Sequence, residues 1–320
     1  MRFQTAILLL LTIFLAGVQR SCSAIHAYPL NLSLSRSDQN RKTAGRFLRL
    51  GDEENRMAPV SALETAIKAA MPQLTNSNKL LLRWYRLKNK RIDKTLKSFD
   101  LGKNVDTLLT DPKLSILLHY IPMYNKKNPK NVMTTAEVLA TKYGLAPVTK
   151  LLEKAKTSKE SSEATKTLAK ELQLEQFTGW TNQKLSPVDV YRKLELNTGN
   201  LSPLGSPVFE AWAGFVRKSL GQNEDKAAST MLEALQEING KRGAAVLFYE
   251  AKGFLDPKLT VAHLKKKQYT QWMISNVNKE NFLKNALDSK SLKLTETDTK
   301  ILEEYLGFVK TYKETHNISI

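Results

Sequence analysis

A block of about 92 to 96 residues occurs more than once in this chain, and a repeat of that length restricts the fold more than any other feature. Leu96, Phe99, Leu101, Leu109, Pro112, Leu114, Leu117 and Tyr120 fall, at a spacing of 95, on Tyr191, Leu194, Leu196, Leu204, Pro207, Phe209, Trp212 and Phe215. Apolar positions meet apolar positions, so each block builds the same buried face. A second set follows at a spacing of 96: Glu137, Leu139, Tyr143, Gly144, Leu151, Leu152, Ala155 and Lys156 meet Glu233, Leu235, Asn239, Gly240, Leu247, Phe248, Ala251 and Lys252. Gln176-Phe177-Thr178-Gly179-Trp180 returns as Gln268-Tyr269-Thr270-Gln271-Trp272, with Leu81-Leu82-Arg83-Trp84 as a weaker, earlier copy. Trp84, Trp180 and Trp272 are therefore expected to punctuate the units, their segments forming the hinge or interface between neighbours. After Trp272 the pattern restarts: Tyr305, Phe308 and Val309 align with Trp212, Phe215 and Val216 at a spacing of 93, and this third copy is expected to be truncated.

Within each block the apolar residues recur at helical spacing, as in Leu139, Tyr143, Val148, Leu151, Leu152 and Ala155, with charged residues between them. No sustained alternating pattern argues for strands. Breaks fall at Asp111-Pro112, Ile121-Pro122, Ser186-Pro187, Gly205-Ser206-Pro207 and Asp256-Pro257, where a turn or capping residue precedes proline. The expected fold is all-α, an elongated array of small helical bundle units preceded by a disordered leader. Its segments are a signal peptide over 1–24, a leader over 25–57, a first unit over 58–175, a second over 176–271 and a truncated third over 272–320.

The N-terminal segment has Arg2, an apolar run from Ala6 to Val18 and small residues Ser21-Cys22-Ser23-Ala24, the layout of a secretory signal cleaved between Ala24 and Ile25. No later stretch reaches the roughly 18 to 20 apolar residues of a membrane helix, so no stable membrane insertion is expected. Cys22 is the only cysteine. Cleavage would leave a product without thiols, held by its cores alone and indifferent to the redox state of its destination. Asn31-Leu32-Ser33, Asn200-Leu201-Ser202 and Asn317-Ile318-Ser319 are possible glycosylation sequons.

The formal charge is +18, with the lysines spread along the chain. Such a surface either meets only solvent or suits an anionic partner, a nucleic acid or an acidic membrane face. Lys88-Asn89-Lys90-Arg91 and Lys265-Lys266-Lys267 are short clusters of this kind. Chemistry is hard to place: His26, His119, His263 and His316 lack metal-ligand spacing, and neither a nucleophile elbow nor a phosphate-cradling glycine loop occurs. Neither catalysis nor a cofactor or metal is expected. Trp84-Tyr85-Arg86-Leu87 fits the aromatic-x-x-aliphatic pattern read by autophagy receptors, yet the junction position of Trp84 predicts a buried ring.

The stretch from Ser186 to Leu196, followed by Ser206 to Trp212, resembles the L and W motifs of oomycete effector units, and Ala140 to Gly144 running on to Lys156 resembles their Y motif. Upstream, Arg46-Phe47-Leu48-Arg49 matches the R-x-L-R tetrapeptide, and Asp52, Glu53, Glu54 and Arg56 resemble its acidic companion with Asn55 inserted. In this order the motifs resemble a secreted RXLR effector with tandem WY-type units. The resemblance implies a core containing Tyr143, Leu194, Trp212, Phe215 and Tyr305, with Leu117, Asn239 and Tyr305 replacing motif residues. It also implies secretion, entry into the plant cell (nucleus, cytoplasm or both) and binding of host proteins to suppress immunity or cell-death signalling. A host phosphatase subunit is one such partner; a nucleic-acid or chromatin binder in the host nucleus is the alternative.

Overall fold

The computed structural model describes residues 60–99, 101–197, 203–251, 260–291 and 293–316. They all belong to one compact unit, residues 44–320. The signal segment with Ala24 and Ile25, the motif residues 46–49 and 52–56, and the sequons at Asn31, Asn200 and Asn317 lie outside the described residues.

Among the described residues every regular element is helical. In order they are α1 (Val60–Ala70), α2 (Asn76–Lys88), α3 (Ile92–Ser98), a 3-10 helix (Val105–Thr110), α4 (Pro112–Lys127), α5 (Thr135–Tyr143), α6 (Leu145–Thr157) and α7 (Glu163–Asn182). Then come α8 (Pro187–Lys193), α9 (Pro207–Ser219), α10 (Glu224–Glu250), α11 (Thr260–Ile274), a π-helical turn (Phe282–Ala286) and α12 (Glu296–Thr315). Three of the expected proline starts work as caps: Asp111, Ser186 and Ser206 each accept a backbone N–H of the first turn, with Pro112, Pro187 and Pro207 next in line, whereas the break expected at Ile121-Pro122 does not occur, Pro122 lying inside α4. Thr134 with Glu137, Ser186 with Asp189 and Thr295 with Asp298 form reciprocal capping boxes.

Three apolar cores follow one another along the chain. The first runs from Ala66 to Leu172, the second from Phe177 to Leu264, and the third gathers Ala245, Tyr269, Trp272, Phe282 and Tyr305. Three helices serve two cores each, α10 among them with Phe248 in the second core and Ala245 in the third. α7 gives Leu168 and Leu172 to the first core and Phe177 and Trp180 to the second; α11 gives Leu264 to the second and Tyr269 and Trp272 to the third.

The junctions are alike in detail. Trp180 meets Phe215 edge-on at 5.3 Å and Trp272 meets Tyr305 edge-on at 5.4 Å. In each case the residue four positions on, Lys184 or Asn276, has positive φ, and the next N–H, of Leu185 or Val277, returns to the carbonyl of the aromatic residue at 3.0 and 2.9 Å. This is a Schellman-type helix end. The first unit has the same arrangement around Tyr85, not Trp84: Tyr85 meets Tyr120 at 5.7 Å, Asn89 has positive φ, and the Lys90 N–H returns to Tyr85 at 3.1 Å.

Three expectations are thereby corrected. Trp84 is 49% exposed, because Leu82 and Tyr85 turn inward on α2 and Trp84 lies on the opposite face. Tyr305 packs as the counterpart of Phe215 and Tyr120, not of Trp212, since it is the ring that faces the junction tryptophan. Tyr143 is only half-buried, lying against the edge of the first core with its hydroxyl donating to the Gly102 carbonyl at 2.6 Å. Leu194, Trp212, Phe215 and Tyr305 are buried.

The glycines paired by the repeat share one conformation, φ 85° and ψ 153° at Gly144 against φ 72° and ψ 165° at Gly240. That region is open almost only to glycine. At Gly144 it separates α5 from α6, and at Gly240 it kinks α10.

Candidate partner-binding surface

A groove with a volume of about 880 Å³ opens on the first unit. Its floor is made by Leu63 and Ile67 of α1, Leu118 and Met123 of α4, and Val132 and Met133 of the following loop. Met123 and Val132 are exposed large apolar side chains, so this floor is partly wet. The loop is pinned from below: the Asn125 side chain donates to the Met133 carbonyl at 2.8 Å and accepts the Met133 N–H at 3.1 Å. Gly179 of α7 lets the loop end approach closely, since a Cβ there would stand 2.9 Å from the Thr134 methyl carbon.

Carboxylates line the wall. Glu137 is fixed by the capping box, accepting from the Thr134 N–H at 2.7 Å and its hydroxyl at 2.9 Å. Glu175 accepts the Thr135 N–H at 3.0 Å. Burial pushes its carboxyl up to about 7, with the Thr135 hydrogen bond pulling down and the charge of Glu137 adding to the rise. Glu64 and Glu171 complete the wall and make no ion pair among the described residues. Lys68, Lys126 and His119 also line the groove, with the His119 ring 2.7 Å from the Ser115 carbonyl. An apolar floor with an acidic wall, on a chain of charge +18, suits an apolar anchor flanked by basic side chains. The sequence reading missed it. The available signal was the length of the α4–α5 connection, residues 128–134, against the shorter α9–α10 connection, residues 220–223.

The basic clusters behave differently from one another. Lys265 pairs with Glu304, and Lys267 with Asp225 at 2.6 Å. Lys90 donates to the Ser98 hydroxyl at 3.2 Å and lies over the Tyr85 ring, and Arg91 pairs with Asp93 at 3.2 Å. Among the described residues no group of three or more His, Cys, Asp and Glu side chains is placed to hold a metal ion. No described helix is long and apolar enough to cross a membrane.

No protein-family profile matches the chain. It is similar to an RxLR effector protein of Phytophthora infestans (strain T30-4), 28% identical over 225 residues that cover 70% of this chain and 32% of the relative. It is also similar to the RxLR effector protein PSR2 of Phytophthora sojae, 26% identical over 182 residues, 57% of this chain and 26% of that one. The chain thus spans about a third or less of the length of these relatives. A further RxLR effector protein of Phytophthora infestans is 22% identical over 316 residues, 96% of this chain and 82% of the relative. The crystal structure of PcRxLR12 shares the fold, with a TM-score of 0.50 at 22% identity over 88% of this chain and 67% of that one.

Proposed function

We propose that the helical body works in the plant cell as a non-catalytic adaptor that captures host proteins, a reading supported by the similarity of the chain to oomycete RxLR effectors. The capture weakens immunity or cell-death signalling. The groove of the first unit carries this reading: it offers an apolar floor, a fixed loop and carboxylates that make no ion pair among the described residues, the features of a binding face, and it lies between the packed core positions. Entry follows the leader motifs Arg46 to Arg49 and Asp52 to Arg56, after cleavage between Ala24 and Ile25. A host phosphatase subunit is the narrower form of the same proposal.

Affinity purification from leaf tissue expressing the chain from Ile25 onward is the test. A reproducible host protein that is lost from Met123→Asp/Val132→Asp is the expected result. Failure to recover any reproducible host protein would overturn the adaptor reading. The charge of +18 favours a second reading, a nucleic-acid binder in the host nucleus. That reading requires binding that falls steeply with salt and nuclear accumulation that depends on Lys88 to Arg91 or Lys265 to Lys267. The ion pairs of Lys265 and Lys267 weigh against the second cluster.

A further inference from the structure

The outer face of α2 carries an apolar stripe that the packing does not use. Leu80 is 63% exposed, Trp84 49% and Leu87 79%, and their spacing of four and three residues places them in one line along the helix. The inner face is fully committed, with Leu82 and Tyr85 in the first core. The helix is therefore held rigidly from behind while three large apolar side chains face outward.

The charges that α2 itself carries are all of one sign. The sequence of α2, NSNKLLLRWYRLK, has no acidic residue. By helical rotation Arg83 and Lys88 fall on opposite flanks of the stripe, with Lys79 and Arg86 beyond. None of these side chains has an ion pair among the described residues. A face so built complements an extended anionic surface with an apolar layer beneath it.

We propose that this face of α2 docks the protein, peripherally and reversibly, on an anionic lipid bilayer. Leu80, Trp84 and Leu87 enter the boundary between headgroups and acyl chains, and the flanking Arg83 and Lys88 meet lipid phosphates and carboxylates. A bilayer is favoured over a protein pocket because the stripe stands on a convex helix with cations on both sides, the charge layout of a helix lying in the headgroup plane. The indole of Trp84 suits that depth, with an apolar body and a polar N–H. The helix is already formed and packed, so docking carries no cost of folding it.

Trp84 also supplies the readout. Trp180, Trp212 and Trp272 are buried, so a change in tryptophan emission on adding vesicles reports Trp84. The chain from Ile25 onward, which keeps the compact unit 44–320 whole, is mixed with vesicles of phosphatidylcholine alone or with about a third phosphatidylserine. The expected result is a blue shift and quenching by brominated acyl chains with the anionic vesicles only. Leu80→Ser/Leu87→Ser should abolish it with unchanged circular dichroism, and Arg83→Gln/Lys88→Gln should weaken partitioning by about tenfold or more at low salt. No shift with anionic vesicles, an equal shift with phosphatidylcholine alone, or variants that partition like the wild type would each overturn the proposal. So would a soluble host protein that requires Leu80, Trp84 and Leu87 when the vesicles leave the emission unchanged.

Discussion

The first and second cores occupy matching frames with different side chains. Trp212 is fully buried in the second and Leu117 in the first, and the repeat sets these two on each other. The larger ring brings a polar group with it, and its indole N–H donates to the Pro187 carbonyl at 2.8 Å while Tyr191 packs against it edge-on at 5.2 Å. At the junctions the exchange runs the other way. Tyr85 and Tyr120 in the first unit place hydroxyls where Trp180 and Phe215 have none, and the Tyr120 hydroxyl donates to the Lys90 carbonyl at 2.5 Å. What recurs is the position of a large side chain and the helix end beside it, not its identity. The difference that bears on function lies outside the cores, where the longer 128–134 connection opens a groove on the first unit.

The largest test of this comparison sets Trp212→Ala against Leu117→Ala. Truncating Trp212 should cost about 3 to 5 kcal/mol, and truncating Leu117 about 2 to 5 kcal/mol with less strain on polar partners. Denaturant unfolding of both variants checks this, and the tryptophan variant should be the less stable, since it also removes the partner of Pro187. Next comes Gly240→Ala, which forces a methyl group onto φ 72° and ψ 165° and should cost about 1 to 3 kcal/mol. Gly144→Ala should cost at least as much, since a Cβ there would also stand 3.3 Å from Pro147 Cδ while one at Gly240 meets nothing, and a thermal melt of each compares the two.

A smaller effect is expected from Tyr305→Phe, about 1 kcal/mol, because its buried hydroxyl donates to the Val277 carbonyl at 3.0 Å. Unfolding curves of this variant and of Tyr120→Phe compare the two hydroxyl-bearing junctions. The smallest concerns pH. The folded carboxyl of Glu175 sits at about 7, above its ordinary value of 4.5, so its contribution is fully present below about 4.5 and is lost as pH rises through 7. Glu175→Gln should therefore match the wild type at low pH and exceed it in stability as pH rises through 7, read from melting temperature against pH.

The helices, their proline starts and the repeat itself could be read from the sequence, because helical spacing and capping residues are local signals. Trp84 was misplaced by a single residue. Leu82 and Tyr85 repeat as Phe177 with Trp180 and as Tyr269 with Trp272, but adjacent aromatics leave the frame ambiguous, and one step on a helix turns a side chain away from the core. Tyr305 was misread because it follows its junction residue Trp272 by 33 residues whereas Phe215 follows Trp180 by 35, so that a spacing of 93 residues does not mark equivalent places. The groove was invisible for another reason. Its lining comes from α1, α4, the 128–134 connection, α5 and α7, and no linear motif links such distant segments.

The central structural claim is that α7, shared between two cores, makes neighbouring units one scaffold. Native-state hydrogen exchange on Trp180→Ala tests it most directly. The account predicts that amides of α6 in the first core and of α9 in the second lose protection together. Loss confined to α9, with α6 exchanging as in the wild type, would contradict it.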